Sequence, residues 1–194
     1  MDTEGFKKKE GHRWILGIDP GFFGSLVVVD VTESKIVTYL DMPLCERHSL
    51  MKKENGRSDI NIKVVCEFIK SVSSHVDAAV IERVNASPNM GVVSAFRFGE
   101  GFGVLCGALV YAGIQNVVMA YPNVWKADLG LDRSKKKSLA MAIEIFKQDK
   151  SLFKLSKFDG RAEAALLAWF GRKALTGEKI KDPFFDAEHI SDLF

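Results

Sequence analysis

The sequence predicts an α/β protein, a mixed five-stranded sheet flanked by helices. Three observations carry that prediction. Three short runs rich in β-branched and apolar residues, Trp14–Asp19, Ser25–Val31 and Lys35–Met42, follow one another through turn-sized links, as an antiparallel meander does. Two later runs, Asp77–Glu82 and Gln115–Tyr121, are each preceded by a segment of helical periodicity. A last helical segment, from Asp159 to Leu175, collects Ala162, Leu166, Trp169 and Phe170 on one side and needs a layer to cover.

The first run, WILGI, delivers a carboxylate, Asp19, into a turn made by Pro20 and Gly21. Proline fixes its own φ and glycine frees the next residue, so the chain reverses sharply and leaves the acid above the sheet. An unpaired carboxylate beside apolar strands is expensive, so a cationic partner is expected for it. A plain hairpin with an acid in its turn fits these residues equally well. Met42 to Ser58 is polar and irregular, with Pro43, Asn55 and Gly56, and is expected to be an exposed loop. Asp59 is the expected N-cap of a helix carrying Ile62, Val65, Ile69 and Val72 at helical spacing, ending at the serines before His75. Asp77 to Glu82 is almost wholly apolar, the form of a central strand, and closes on an acid as the first strand does.

A long helix rich in small residues is expected from Gly91 to Ala112. Gly99, Gly101, Gly103 and Gly107 each cost up to ~1 kcal/mol relative to alanine, and close packing on the sheet or on a second copy of the helix must offset them. Pro122 opens a short helix with Trp125 and Lys126, Leu131 to Lys137 reads as a basic loop, and Ser138 to Gln148 returns to helical spacing. Three antiparallel strands, helix, strand, helix, strand, then helices is the element order of a ribonuclease H-like layer.

With 194 residues and 47% hydrophobic content, the chain fits one domain over residues 1–175, with a flexible arm at 1–12 and an acidic, aromatic tail at 176–194. That tail, containing Phe184, Phe185 and Phe194, is expected to pack back on the core or to dock a protein partner. Net charge is only +2, with bases clustered at Lys7–Lys9, Lys52–Arg57, Arg133–Lys137 and Lys147–Arg161, which permits a polyanionic partner. Cys45, Cys66 and Cys106 form no CxxC, so a reducing compartment is expected, cytoplasm, nucleoid or a viral replication compartment. No signal or transit peptide and no membrane span are expected.

In DGRAE, Asp159 and Glu163 lie four apart and project from one helical face, where like charges repel. On its own the motif also fits helix-dipole matching. Brought near Asp19 and Glu82, the four acids would need a divalent cation, and oxygen-only ligands suit Mg²⁺ or Mn²⁺. Two ions per site would clamp the attacking and leaving oxygens of a phosphodiester.

These motifs together resemble the RuvC-type Holliday-junction resolvases, from Trp14 to about Arg172. ILGIDPG resembles the family's first-strand motif and carries over Asp19; VIERV resembles the fourth-strand motif and carries over Glu82. SAFRFGEGFGVLCGAL, Ser94 to Leu109, is similar to the glycine-bearing helix that helps form the dimer in relatives. NVWKADLGLDRSKKKS, Asn123 to Ser138, resembles the segment supplying two supporting lysines, by position Lys126 and Lys137, with Lys135 and Lys136 competing for the second place. The resemblance implies a homodimeric Mg²⁺-dependent crossover junction endodeoxyribonuclease with Asp19, Glu82, Asp159 and Glu163 as metal ligands and Lys126 and Lys137 in the catalytic site.

Two departures matter. Bacterial RuvC places its last two acids three apart; the four-residue spacing here is more similar to the phage-encoded and plant chloroplast branch. Bacterial RuvC also has a phenylalanine beyond the fourth-strand acid that stacks on a base, where this chain has Asn85, so Met90 or Phe96 become candidates for an apolar wedge. Rival readings are a related nuclease acting on flaps or RNA–DNA hybrids, a non-catalytic branch-binding protein, and a sugar-kinase or actin-like ATPase, which needs two such domains.

Overall fold

The computed structural model describes residues 6–48, 53–86 and 90–176. Of the expected tail, 176–194, all but Thr176 lies outside them. The meander is formed by β1 (Trp14–Asp19), β2 (Ser25–Asp30) and β3 (Lys35–Asp41). A polar hairpin follows, β4 (Leu44–His48) and β5 (Lys53–Ile60), then α1 (Ile62–Val72), β6 (Ala78–Glu82), α2 (Val92–Tyr111), β7 (Val117–Ala120), α3 (Pro122–Asp128), α4 (Lys135–Ile145) and α5 (Asp159–Gly171). Short 3-10 turns at Lys147–Phe153, Ser156–Phe158 and Arg172–Thr176 bracket α5.

The five-stranded sheet runs β3-β2-β1-β6-β7. β1 is antiparallel to β2 and parallel to β6, and β6 is parallel to β7, so the sheet is mixed as expected. Side chains alternate across it. Leu16, Ile18, Leu26, Val28 and Ile81 join α1 and α2 in one core, whereas Ile15, Val27, Val29 and Val80 join α4 and α5 in the other. Both layers exist because β1, β2 and β6 are buried on both faces.

α5 lies unusually close to the sheet. A Cβ on Gly17 would sit 1.9 Å from the Ala164 carbonyl oxygen, so only a glycine in β1 lets the α5 backbone approach this far. The other end of the chain's path is tied down as well: Phe6 packs edge-on against Trp14, and Lys8 Nζ bonds Asp77 Oδ2 at 2.5 Å, so residues 6–12 of the expected arm lie against the body.

Three expectations need correction. Residues 42–58 are not a loop throughout, because β4 and β5 pair antiparallel as a separate two-stranded sheet; a ribbon outside the main sheet needs no apolar alternation, which is the signal a sequence offers. The N-cap of α1 is Asn61, whose side chain accepts from Val64 N at 3.3 Å, while Asp59 belongs to β5 and pairs with Arg97. The helix expected from Ser138 begins at Lys135, inside the expected basic loop. Of the two partners expected for the α2 glycines, the chain itself supplies one only at Gly101, which meets Ile60; Gly99, Gly103 and Gly107 meet nothing within the chain, so the alternative of a second copy stays open for them. α2 also has the length and apolar content of a membrane span. Here it packs on α1 and the sheet through Leu105, Ala108 and Leu109 and carries Arg97 and Glu100.

Candidate active site

β1 and β6 are parallel neighbours in the register Ile18 to Ile81, so Asp19 and Glu82, the next residues, end adjacent strands on the same edge of the sheet. Carboxyl ends of parallel strands are where open α/β sheets place their ligand sites. Gly160 brings the third motif there. Its Cβ would lie 2.1 Å from the Phe23 carbonyl oxygen, so the first turn of α5 abuts the turn between β1 and β2, and Asp159 arrives beside Asp19. Arg161 fixes that turn from the far side, donating from Nε to Asp41 Oδ1 at 2.5 Å and from Nη2 to Asp41 Oδ2, with its guanidinium over the Tyr39 ring. Glu163 follows one helical turn after Asp159.

α3 and α4 wall the cluster. Trp125 Nε1 donates to Glu82 Oε1 at 2.9 Å, Lys126 Nζ to Glu163 Oε1 at 2.7 Å, and the buried Ser138 hydroxyl to the same Glu163 oxygen at 3.1 Å. Lys135 Nζ pairs with Asp159 Oδ2, and this bond holds the ammonium above its usual pKa. Lys137 is not brought to the carboxylates. Two residues further along α4 it points about 200° away, and its Nζ pairs with Asp132 at 2.6 Å on an exposed surface. Of the lysines competing for the second place, Lys135 is thus the one paired with a cluster carboxylate among the described ion pairs. Beside Lys126 a groove of about 600 Å³ opens between Asn85, Asn123, Leu131 and Arg133.

Asp19 is the unusual group. Its Oδ1 accepts from the Gly21 amide at 3.1 Å, and among the described residues it has no ion-pair partner, although the Lys135 ammonium feels its charge. Desolvation, then the charge of Glu82, then those of Glu163 and Asp159, push its carboxyl up to about 7. Glu82 is raised too, by burial first and by Glu163, with the Trp125 hydrogen bond and Lys126 opposing. A cluster of four oxygen-donor acids, one of them desolvated and without a direct ion pair among the described residues, fits a hard divalent ion. Trp125, Ser138 and Lys135 are the site residues that sequence reasoning missed or left undecided. For Lys135 the signal was the basic run itself; for Ser138 there was none.

A second group is closer set: ligand atoms of His12, Asp30 and Glu33 fall within 4.8 Å of one another. It is already satisfied internally. His12 Nδ1 lies 2.5 Å from Asp30 Oδ2, which also accepts from Trp14 Nε1, while Asp30 Oδ1 takes the amides of Thr32 and Glu33. Burial works against ionisation of Asp30, and those bonds outweigh it and hold its carboxyl below the usual range. The group is a clasp joining the start of β1 to the end of β2.

No family model and no curated protein matches the sequence. Solved structures do match. RuvC of T. thermophilus in complex with a Holliday junction substrate superposes with a TM-score of 0.60 at 19% identity, covering 86% of this chain and 97% of that one. A second Thermus thermophilus RuvC structure gives 0.51 at 18% identity, covering 84% and 97%. The chain thus has the ribonuclease H-like α/β fold of RuvC, along nearly the full length of that protein.

Proposed function

We propose that the chain is a metal-dependent, structure-selective endonuclease that nicks two opposing strands of a four-way (Holliday) DNA junction as a homodimer. The observation that supports this best is the gathering of Asp19, Glu82, Asp159 and Glu163 at the carboxyl edge of β1 and β6, with Lys126 and Lys135 reaching in from α3 and α4. Asp19, Glu82, Asp159 and Glu163 would hold Mg²⁺ or Mn²⁺, which supplies Lewis acidity to the scissile phosphate and acidifies an attacking water. Trp125 orients the Glu82 carboxylate, and Lys126 with Ser138 fixes that of Glu163. The Lys135 side chain, 71% exposed, covers Asp159 and is long enough to turn to an arriving phosphate, where it would offset the charge that builds during hydrolysis. The RuvC relative bound to a junction supports branched DNA as the substrate. The four-residue spacing of Asp159 and Glu163 supports a place near the phage and chloroplast resolvases.

The second copy is supported by α2. Val92, Phe96, Gly99, Gly103, Gly107 and Val110 recur at helical spacing along one exposed face, and the three glycines leave room for another helix to approach. Two active sites related by a twofold axis would meet the two strands to be cut.

The test is cleavage of a labelled four-way junction, a flap and a linear duplex in Mg²⁺, Mn²⁺ or EDTA. Nicking of the junction that is abolished by EDTA, and reduced at least about a hundredfold in Asp19→Asn and Glu82→Gln, is the expected result. Equal rates for folded variants and parent would refute it, and a preference for the flap would move the assignment to another nuclease of the same fold.

A further inference from the structure

The turn that carries Asp19 also carries two phenylalanines with opposite fates. Phe22 packs against the α1/α2 core, whereas Phe23 is 84% exposed. A single exposed apolar side chain needs no explanation in itself. What distinguishes Phe23 is the rigidity and location of its backbone. Gly24 N bonds Gly21 O at 2.8 Å, Gly21 N bonds Asp19 Oδ1, and Met42 N bonds Gly24 O at 2.9 Å, so the turn is held from both sides. The Phe23 carbonyl lies against Gly160, the residue next to Asp159. A held backbone thus presents an aromatic side chain to water at the junction of two of the acidic motifs.

Cations surround the same lip. Lys135 reaches Asp159, and Lys157 stands two residues before it with its ammonium over the Phe158 ring. Phosphates drawn to these lysines would run past Phe23 with their bases beside it. An exposed aromatic side chain near cations able to take phosphates is the arrangement with which proteins stack an unpaired base. Phe96, the other strongly exposed phenylalanine among the described residues, stands on the α2 face suited to a second copy.

We infer that Phe23 is the residue that stacks on a base at the crossover, holding it out of the helix so that the adjacent phosphate can enter the carboxylate cluster. This rests on the nuclease reading above, and the experiment separates the two. Phe23→Ala and Phe23→Tyr are compared with the parent on a fully paired four-way junction and on one whose crossover bases are mismatched, hence already unstacked. On the paired junction Phe23→Ala should nick roughly tenfold to a hundredfold more slowly and Phe23→Tyr near the parental rate; on the mismatched junction all three should agree within about threefold. A 2-aminopurine at the crossover, with Ca²⁺ replacing Mg²⁺, should brighten on binding the parent and Phe23→Tyr but not Phe23→Ala. Melting temperatures should agree, since the ring contributes little to the fold. Equal nicking of the paired junction by Phe23→Ala and the parent overturns the inference and leaves the nuclease reading standing; equal slowing on both junctions overturns it too. If the parent nicks neither substrate, both fall together.

Discussion

Asp19 connects the electrostatics of single residues to a measurable stability. Its carboxyl ordinarily titrates at 3.8 and is lifted to about 7 by desolvation and by Glu82, Glu163 and Asp159. Between those pH values the unfolded chain has lost this proton and the folded chain keeps it, so metal-free stability falls as pH rises through the window and levels off above it. The full effect is on the order of 4 kcal/mol, and Glu82, also raised, adds in the same direction. Asp30, Asp41 and Asp77 are shifted downward and act in the opposite sense, below about pH 4. Thermal melts in EDTA should therefore show a lower melting point at pH 8 than at pH 5.5. Asp19→Asn should remove most of that difference, and Mg²⁺ should raise the melting point more at pH 8 than at pH 5.5. A flat profile in EDTA would mean that the cluster is hydrated. The lysines give a second residue-scale prediction. Lys135→Ala should slow junction nicking about a hundredfold and Lys137→Ala less than about threefold, because only the former reaches a cluster carboxylate. The reverse order in a rate assay would reinstate Lys137.

At the scale of elements, the pairing of α5 with β1 decides whether the site exists. Asp159 and Glu163 lie 140 or more residues from Asp19 in sequence, and what brings them together is a helix backbone pressed onto Gly17 of β1 and, through its own Gly160, onto Phe23 and Gly24 of the following turn. Gly17→Ala puts a methyl group against the Ala164 carbonyl, an atom that cannot rotate away, and should destabilise the protein by about 3 kcal/mol in urea unfolding. An unchanged midpoint would show that α5 can slide outward freely. Sequence periodicity revealed α5 and its acidic pair, since its apolar residues repeat at helical spacing. It did not reveal the hairpin β4–β5, whose polar residues carry no alternation, nor the start of α4 at Lys135. That start turns Lys135 toward Asp159 and Lys137 away from it.

At the scale of the whole molecule, the described residues leave one face of α2 uncovered while the sheet's two cores are closed. Gly103 faces open space within the chain, so Gly103→Arg should leave the monomer folded and should convert a dimer to a monomer in light scattering. A dimer that survives Gly103→Arg would place the twofold elsewhere. The existence of the five main-sheet strands, the acidic ends of the first and fourth of them and the four-residue acidic pair were determined by sequence alone, because apolar periodicity and turn residues act over short stretches and can be read there. Which lysine meets which carboxylate, that Trp125 and Ser138 hold the glutamates, and that Phe22 turns inward while Phe23 stands in water were decided only by tertiary structure. Those outcomes depend on where helix α5 rests on β1 and on the rotation of α4 against it, and packing between distant segments sets both.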